Sequence, residues 1–159
     1  MPLPTLSLQY AYYQSPVGLI EIGTTTAALS TLYFVEEPRY ASTSSPLLAL
    51  VIQQLTEYFA STRTTFELPL HFQGTAFQRQ VWQQLLQVPY GQTLTYQDIA
   101  NALGNPKAVR AVGAANGQNP ISIIAPCHRI IGSNGNLTGY GGGLWRKEWL
   151  LKHEGYLLT

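Results

Sequence analysis

The chain has one cysteine, one methionine and few charges: nine Lys and Arg against eight Asp and Glu in 159 residues, 11% in all. Each shortage excludes something. A single cysteine cannot close an internal disulfide, and it leaves no thiolate pair for a structural zinc site. His71, His128 and His153 stand at no metal-ligand spacing, so neither a metal nor another cofactor is expected. Charge at about half the usual share argues against stability from ion-pair networks. No apolar run approaches the ~20 residues of a membrane-spanning helix. The opening MPLPTLSLQYAYY lacks the basic and apolar regions of a signal peptide. The expectation is a soluble, cytoplasmic protein with no membrane partner.

What is present is enough to bury a core, since 45% of the residues are hydrophobic. The net charge of +1 hides an asymmetry. Residues 1–71 carry two arginines against five glutamates, net −3, and residues 72–159 carry seven cations against three carboxylates, net +4. A basic second half points to a polyanion such as nucleic acid. The division expected is therefore 1–71 and 72–159.

In the first part, LSLQYAYY, VGLIEIG and ALSTLYFV read as three strands of an antiparallel meander, with SPVG turning between the first two. Pro46 opens a helix whose apolar stripe is Leu48, Val51, Ile52, Leu55 and Phe59, and TFELPL reads as a further β piece. In the second part, Phe77, Val81, Leu85 and Val88 share one helix face, which Pro89, Tyr90 and Gly91 end. Thr95 is a fitting N-cap for YQDIANAL, with Asp98 at the capping-box distance. Asn105 and Pro106 then open KAVRAVGAAN, which Gly117 ends. Two short helices across a Gly-Asn-Pro turn in a basic region match a helix-turn-helix, and equally an ordinary helical pair. In the second helix Ala111, Gly113, Ala114 and Ala115 surround Arg110. Interior glycine costs about 1 kcal/mol, so this small face favours close approach of a large surface.

Cys127 lies in APCHRIIG, after the apolar run ISIIA. A lone cysteine leaving a buried strand is more often core than reagent. His128 offers a base that could supply a thiolate, but successive strand side chains face opposite ways. The pair works only if the chain turns at Cys127, which Pro126 favours. Glu154 shares the helix face of Leu150 and Leu151 and lies in the last turn, where the macrodipole disfavours an anion. Its candidate partners are Lys147, giving a surface ion pair, and His128, giving a Glu-His-Cys relay. Pattern alone favours the surface pair.

PCHRI, preceded by NPISIIA and followed by TGYGGGLWRKEWLLKHEG, closely resembles the active-site region of the O6-alkylguanine-DNA alkyltransferases. RAVGAANGQNP is similar to that family's recognition helix and following turn, and YGQTLTYQDIA to its preceding helix. The likeness runs almost unbroken from Thr75 to Leu157 and is looser in SPVGLIEIG. The fold this implies is α/β plus α: an N-terminal ribonuclease H-like small antiparallel sheet with a helix, then a winged helix-turn-helix-like domain for DNA binding and the active site.

The activity implied is direct, irreversible transfer of a methyl or other alkyl group from guanine O6, and from thymine O4, in double-stranded DNA to cysteine, once per molecule. On this resemblance Cys127 is the acceptor, His128 the base acting through a water, and Glu154 the carboxylate orienting it. Asn119 braces the active-site turn, and the Tyr96 hydroxyl approaches N3 of the guanine. Arg110 enters the duplex in place of the flipped base, while Ala111, Gly113 and Ala114 form the helix face lying in the minor groove. Tyr140, Gly141 and Ile130 line the guanine pocket with Tyr96. The protein is expected to act as a monomer. Two other readings use the same residues: a helix-turn-helix protein with Cys127 as a stress sensor, and a thiol hydrolase with a Cys-His-Glu relay.

Thiolate formation alone is a modest lever. A thiol of pKa about 8.5 is roughly 3% ionised at pH 7, and lowering that pKa by two units gives about 25-fold more thiolate. Reduced basicity takes back about 8-fold, leaving about 3-fold. Positioning of the sulfur and donation from Tyr96 must supply much of the rate.

Overall fold

The computed structural model describes residues 7–156, and they form two compact units that divide between His71 and Phe72. The first unit is a three-stranded antiparallel sheet in the order β1 (Gln9–Ser15), β2 (Gly18–Thr24), β3 (Leu29–Val35), followed by α1 (Pro46–Phe59). Leu6, at the head of the first expected strand, lies outside the described residues. Ser15 fixes the first turn, its hydroxyl donating to the Gly18 carbonyl and accepting from the Val17 N–H. Ser45 caps α1 by accepting from the Leu48 N–H, and Pro46 occupies the first helical turn, where its missing N–H costs nothing.

α1 packs on β1 and β2, burying Leu48, Val51 and Leu55 with Ile20, Ile22 and Leu32 of the sheet. The buried stripe is rotated from the expected one. Gln54 and Tyr58 are buried, whereas Ile52 and Phe59 are half-exposed. The Gln54 amide explains its place: it accepts from the Glu67 N–H and donates to the Glu67 carbonyl, tying the returning chain to the helix. TFELPL forms no strand beyond one bridge, Leu70 to Leu29.

The second unit is helical. α2 (Ala76–Leu85) starts with a full capping box in which Thr75 and Gln78 satisfy each other's backbone N–H. Its buried residues are Val81, Trp82 and Leu85, with Phe77 only half-buried and Val88 beyond its end. The Trp82 indole N–H donates to the Ala115 carbonyl at 2.8 Å, docking α2 on α4. α3 (Tyr96–Ala102) has the expected Thr95–Asp98 capping box. α4 (Val109–Gly117) starts two residues later than expected, because Asn105 and Pro106 close a separate turn in which the Ala108 N–H donates to the Asn105 carbonyl. Two short parallel strands, β4 (Leu94–Thr95) and β5 (Ile130–Ile131), join the start of α3 to the segment after Cys127. α5 (Leu144–His153) completes the unit. Among the described residues no helix is long and apolar enough to cross a membrane.

Candidate active site

The apolar run ISIIA is not a strand. It folds into consecutive turns, and Ile123 has a φ of 71°, a region that strongly disfavours β-branched residues and stores of order 1–3 kcal/mol. Asn119 holds the chain there. Its Oδ1 accepts from the Ile121 N–H at 3.0 Å, and its Nδ2 donates to the carbonyls of Ala125 at 2.7 Å and Ile121 at 3.3 Å. Sequence periodicity could not show this, because a buried apolar run reads the same whether it is extended or coiled into braced turns.

Out of these turns the chain enters a single 3-10 turn, Cys127–Arg129, with Pro126 at its cap. All three residues are buried. The turn removes the strand objection to the Cys127–His128 pair, since the two residues no longer alternate across a pleat. From the end of α4, the Asn116 amide also reaches the Cys127 carbonyl, at 3.4 Å.

Glu154 does not pair with Lys147. It caps the C-terminal end of α5, fully buried, with His128 Nε2 2.7 Å from Oε2. Arg129 supplies the countercharge, its Nε donating to Oε1 at 2.7 Å and an Nη to Oε2 at 3.1 Å. Its other Nη donates to the Val88 carbonyl. Gly91, at φ 76°, lets the chain pass close by: a Cβ there would stand 3.0 Å from the Glu154 carbonyl oxygen. Sequence reasoning missed Arg129, although an anion at a helix C-terminus needs a cation nearby and an arginine stands beside the histidine. Lys147 was misplaced. It is fully buried, its Nζ donating to the carbonyls of Ile130 at 2.5 Å and Thr138 at 2.7 Å.

The electrostatics fix who holds the protons. Burial pushes Glu154 up, but the His128 ring and the Arg129 guanidinium outweigh it and hold the carboxyl well below the usual carboxylate range. Burial pushes His128 down, against the pull of Glu154, so the ring is neutral near pH 7. A neutral ring facing an ionised carboxylate donates through Nε2–H, which leaves Nδ1 as a lone-pair acceptor. Nδ1 is buried and has no hydrogen-bond partner among the described residues. Burial also pushes the Cys127 thiol up, opposed by the Asn119 amide, the Lys147 ammonium and the N–H groups of Cys127 and His128. The thiol is therefore protonated at rest, and a depressed cysteine pKa is not how this site makes a thiolate.

The other expected site residues fall in two places. Arg110, Ala111 and Ala114 are exposed on α4, and Gly113 is half-buried, with only Tyr96 near a Cβ placed there, at 4.0 Å. Among the described residues nothing forbids a side chain at Gly113. Tyr96 is half-buried at the start of α3, its hydroxyl donating to the Thr138 carbonyl at 3.2 Å and accepting from the Thr138 hydroxyl at 3.3 Å. Tyr140 and Gly141 sit in the loop after β5, with the Tyr140 hydroxyl buried and the Gly141 Cα open to solvent. Ile130 is fully buried. Among the described residues no group of three or more His, Cys, Asp and Glu side chains is placed to hold a metal ion.

Comparison with known proteins agrees over the whole described chain. Residues 8–72 match the ribonuclease-like domain of 6-O-methylguanine DNA methyltransferase, and residues 76–156 match its DNA-binding domain. The chain is 46% identical to a methylated-DNA–protein-cysteine methyltransferase of Mycolicibacterium paratuberculosis over 92% of each chain. It is 45% identical to one of Methanosarcina acetivorans over 93% of this chain and 99% of the relative. Among solved structures it matches O6-methylguanine methyltransferase of Mycobacterium tuberculosis, with a TM-score of 0.85 and 42% identity over 93% of both chains. It matches the same organism's OGT, solved in complex with DNA, with a TM-score of 0.85 and 45% identity over 92% of both chains. On the cysteine turn, the two-unit fold and these matches together, the chain belongs to the 6-O-methylguanine DNA methyltransferase family.

Proposed function

We propose that the protein repairs alkylated DNA by moving the alkyl group from guanine O6 to the Cys127 sulfur, once per molecule. The observation that carries this reading is the buried 3-10 turn Cys127–Arg129, in which a neutral histidine paired with Glu154 keeps one nitrogen without a partner among the described residues, next in sequence to the only thiol. His128 Nδ1 takes the thiol proton, through a water in the family's manner, and Glu154 stabilises the imidazolium that results. The sulfur attacks the alkyl carbon, a C–S bond forms, and the C–O6 bond breaks with its electron pair passing to the guanine. Tyr96 turns its hydroxyl from Thr138 to the base and donates to N3 as that charge develops. The product thioether has no proton to lose and no leaving group, so the step is not reversed.

A stacked base cannot present O6 to a buried thiol, so the nucleotide is extruded at a cost of a few kcal/mol. Arg110, exposed at the start of α4, fills the gap it leaves. Ala111, Gly113 and Ala114 let α4 approach the minor groove closely, and the spare room at Gly113 supports this, since the fold itself does not require a glycine there. Thymine O4 carries an alkyl group in the same chemical setting and is a second substrate. Residues 72–159 form the transferring domain of a cytoplasmic monomer.

The test is intact mass after mixing the protein with a duplex carrying O6-methylguanine. One methyl group on the Cys127 peptide, in proportion to protein, is the expected result. Demethylation that survives Cys127→Ser, or turns over many times per molecule, would overturn it in favour of a hydrolase.

A further inference from the structure

Lys147 is the one fully buried cation of the second unit with no carboxylate partner among the described residues. Glu154, seven residues on along α5, is already taken by Arg129 and His128. Two ammonium protons go to the carbonyls of Ile130 and Thr138, and the third has no acceptor among the described residues. Carbonyl oxygens solvate an ammonium without cancelling its charge, and a buried charge without a counter-ion is costly. A hydrocarbon of the same length would fill the space at less cost, so the charge itself has a use. The titratable groups that feel its charge are Cys127 and His128 of the 3-10 turn, and the ring of Tyr96 of α3 lies 5.8 Å from Nζ. Arg129, on the same turn, is turned to Glu154.

Thr138 connects two of these groups. Its carbonyl accepts from Lys147 at 2.7 Å and from the Tyr96 hydroxyl at 3.2 Å. When Tyr96 swings to a base, that oxygen keeps a charged donor. Ile130, the other carbonyl, ends the turn that carries the nucleophile.

We propose that Lys147 is a positioning residue of the transfer site: its ammonium is the counter-charge for the Cys127 thiolate, and it holds the Thr138 carbonyl from which Tyr96 is released to the base. The second half rests on the alkyl-transfer reading, whereas the first can be tested without DNA. Burial pulls Lys147 down to about 8, with Cys127 pulling the other way. The support it gives the thiolate is therefore fully present below about pH 8 and fades as the lysine loses its proton above it.

The experiment compares the wild type with Lys147→Met and Lys147→Arg, using iodoacetamide as a small alkylating probe and Cys127, the only cysteine, as the readout by mass. With the thermal midpoint monitored for folding, Lys147→Met is expected to react about ten-fold more slowly below pH 8, to converge on the wild type above it, and to be largely rescued by Lys147→Arg. A folded Lys147→Met whose rate profile overlays the wild type overturns the counter-charge.

Should Lys147→Met not fold, the reciprocal measurement is made on wild type and Cys127→Ser by carbon NMR of the three lysines, Lys107, Lys147 and Lys152. Coupling is mutual, so the Lys147 midpoint must fall in Cys127→Ser, and equal midpoints overturn the proposal. Transfer from an O6-methylguanine duplex should fall further in Lys147→Met than iodoacetamide alkylation does, and an equal fall overturns the Tyr96 half. A shifted iodoacetamide profile in a protein that leaves the duplex untouched supports the counter-charge while removing the transfer reading.

Discussion

Each unit of the protein buries a glutamate and grips it with one arginine and one ring-bearing donor, and the two sites behave differently because of what the ring has left over. In the first unit Glu21 accepts from the Tyr12 hydroxyl at 2.9 Å and from Arg39 Nε and Nη2 at 3.2 and 2.6 Å. Tyr12 is used completely, its oxygen also accepting from the N–H groups of Arg39 and Tyr40. The result is a staple that fastens the segment after β3 to the sheet. In the second unit Glu154 accepts from His128 and Arg129, but His128 keeps a second nitrogen with no partner among the described residues. A spent donor makes structure, and a ring with one free lone pair can still move a proton.

Solvent separates the two sites as well. The Arg39 side chain is 52% exposed, whereas that of Arg129 is 8% exposed. Replacing each glutamate by glutamine is the largest way to break the comparison. Glu154→Gln strands a buried guanidinium and is expected to cost about 3–5 kcal/mol. Glu21→Gln leaves Arg39 to water and should cost about 1–2 kcal/mol. Urea unfolding reads them separately, because all three tryptophans, Trp82, Trp145 and Trp149, lie in the second unit. Equal costs would mean that burial of the arginine is not what distinguishes the sites.

Next in size is Asn119→Ala. It removes three hydrogen bonds that hold Ile123 at positive φ, and about 2–3 kcal/mol of stability should go with them. It also removes a donor that favours the Cys127 thiolate, so iodoacetamide alkylation should slow while the tyrosine-rich first unit keeps its unfolding midpoint. A shift of both units together would make Asn119 a general structural residue and not a local brace.

The acid limb sharpens the same contrast. The folded chain holds both His128 and Glu154 below their ordinary pKa values, so the unfolded chain binds protons that the folded one refuses. Stability from His128 is then lost as pH falls below about 6.5, and that from Glu154 as it falls below about 4.3. Hydrogen exchange at pH 5 should open the 3-10 turn and the end of α5 before β1–β3. Loss of protection in the sheet first would reverse the assignment.

Several of these features could be read from the residues. The meander, the Ser45–Pro46 start and the Thr95–Asp98 box are local signals, each set by neighbours within four positions, and they appear as expected. The braced turns before Cys127 depend on Asn119 reaching forward to Ala125, and the Glu154 site on a residue 25 positions upstream. Neither leaves a periodic trace. Lys147 was different: it shares the spacing of Leu150, Leu151 and Glu154, so the periodicity that puts Glu154 on the core face puts Lys147 there too. Its charge hid it.

The smallest expected effect concerns α4, where stability and binding should part company. A methyl group at Gly113 meets only the Tyr96 ring edge, at 4.0 Å, and the glycine lies within a helix at ordinary negative φ. Gly113→Ala should therefore stabilise the protein by up to about 1 kcal/mol. If the small face exists to admit a DNA backbone, the same methyl group must weaken duplex binding, so a higher thermal midpoint should accompany a higher Kd in fluorescence anisotropy. A variant that is both more stable and equally tight would show that glycine at this position answers to neither the fold nor the DNA, and the close-approach role of α4 would then rest on Ala111 and Ala114 alone.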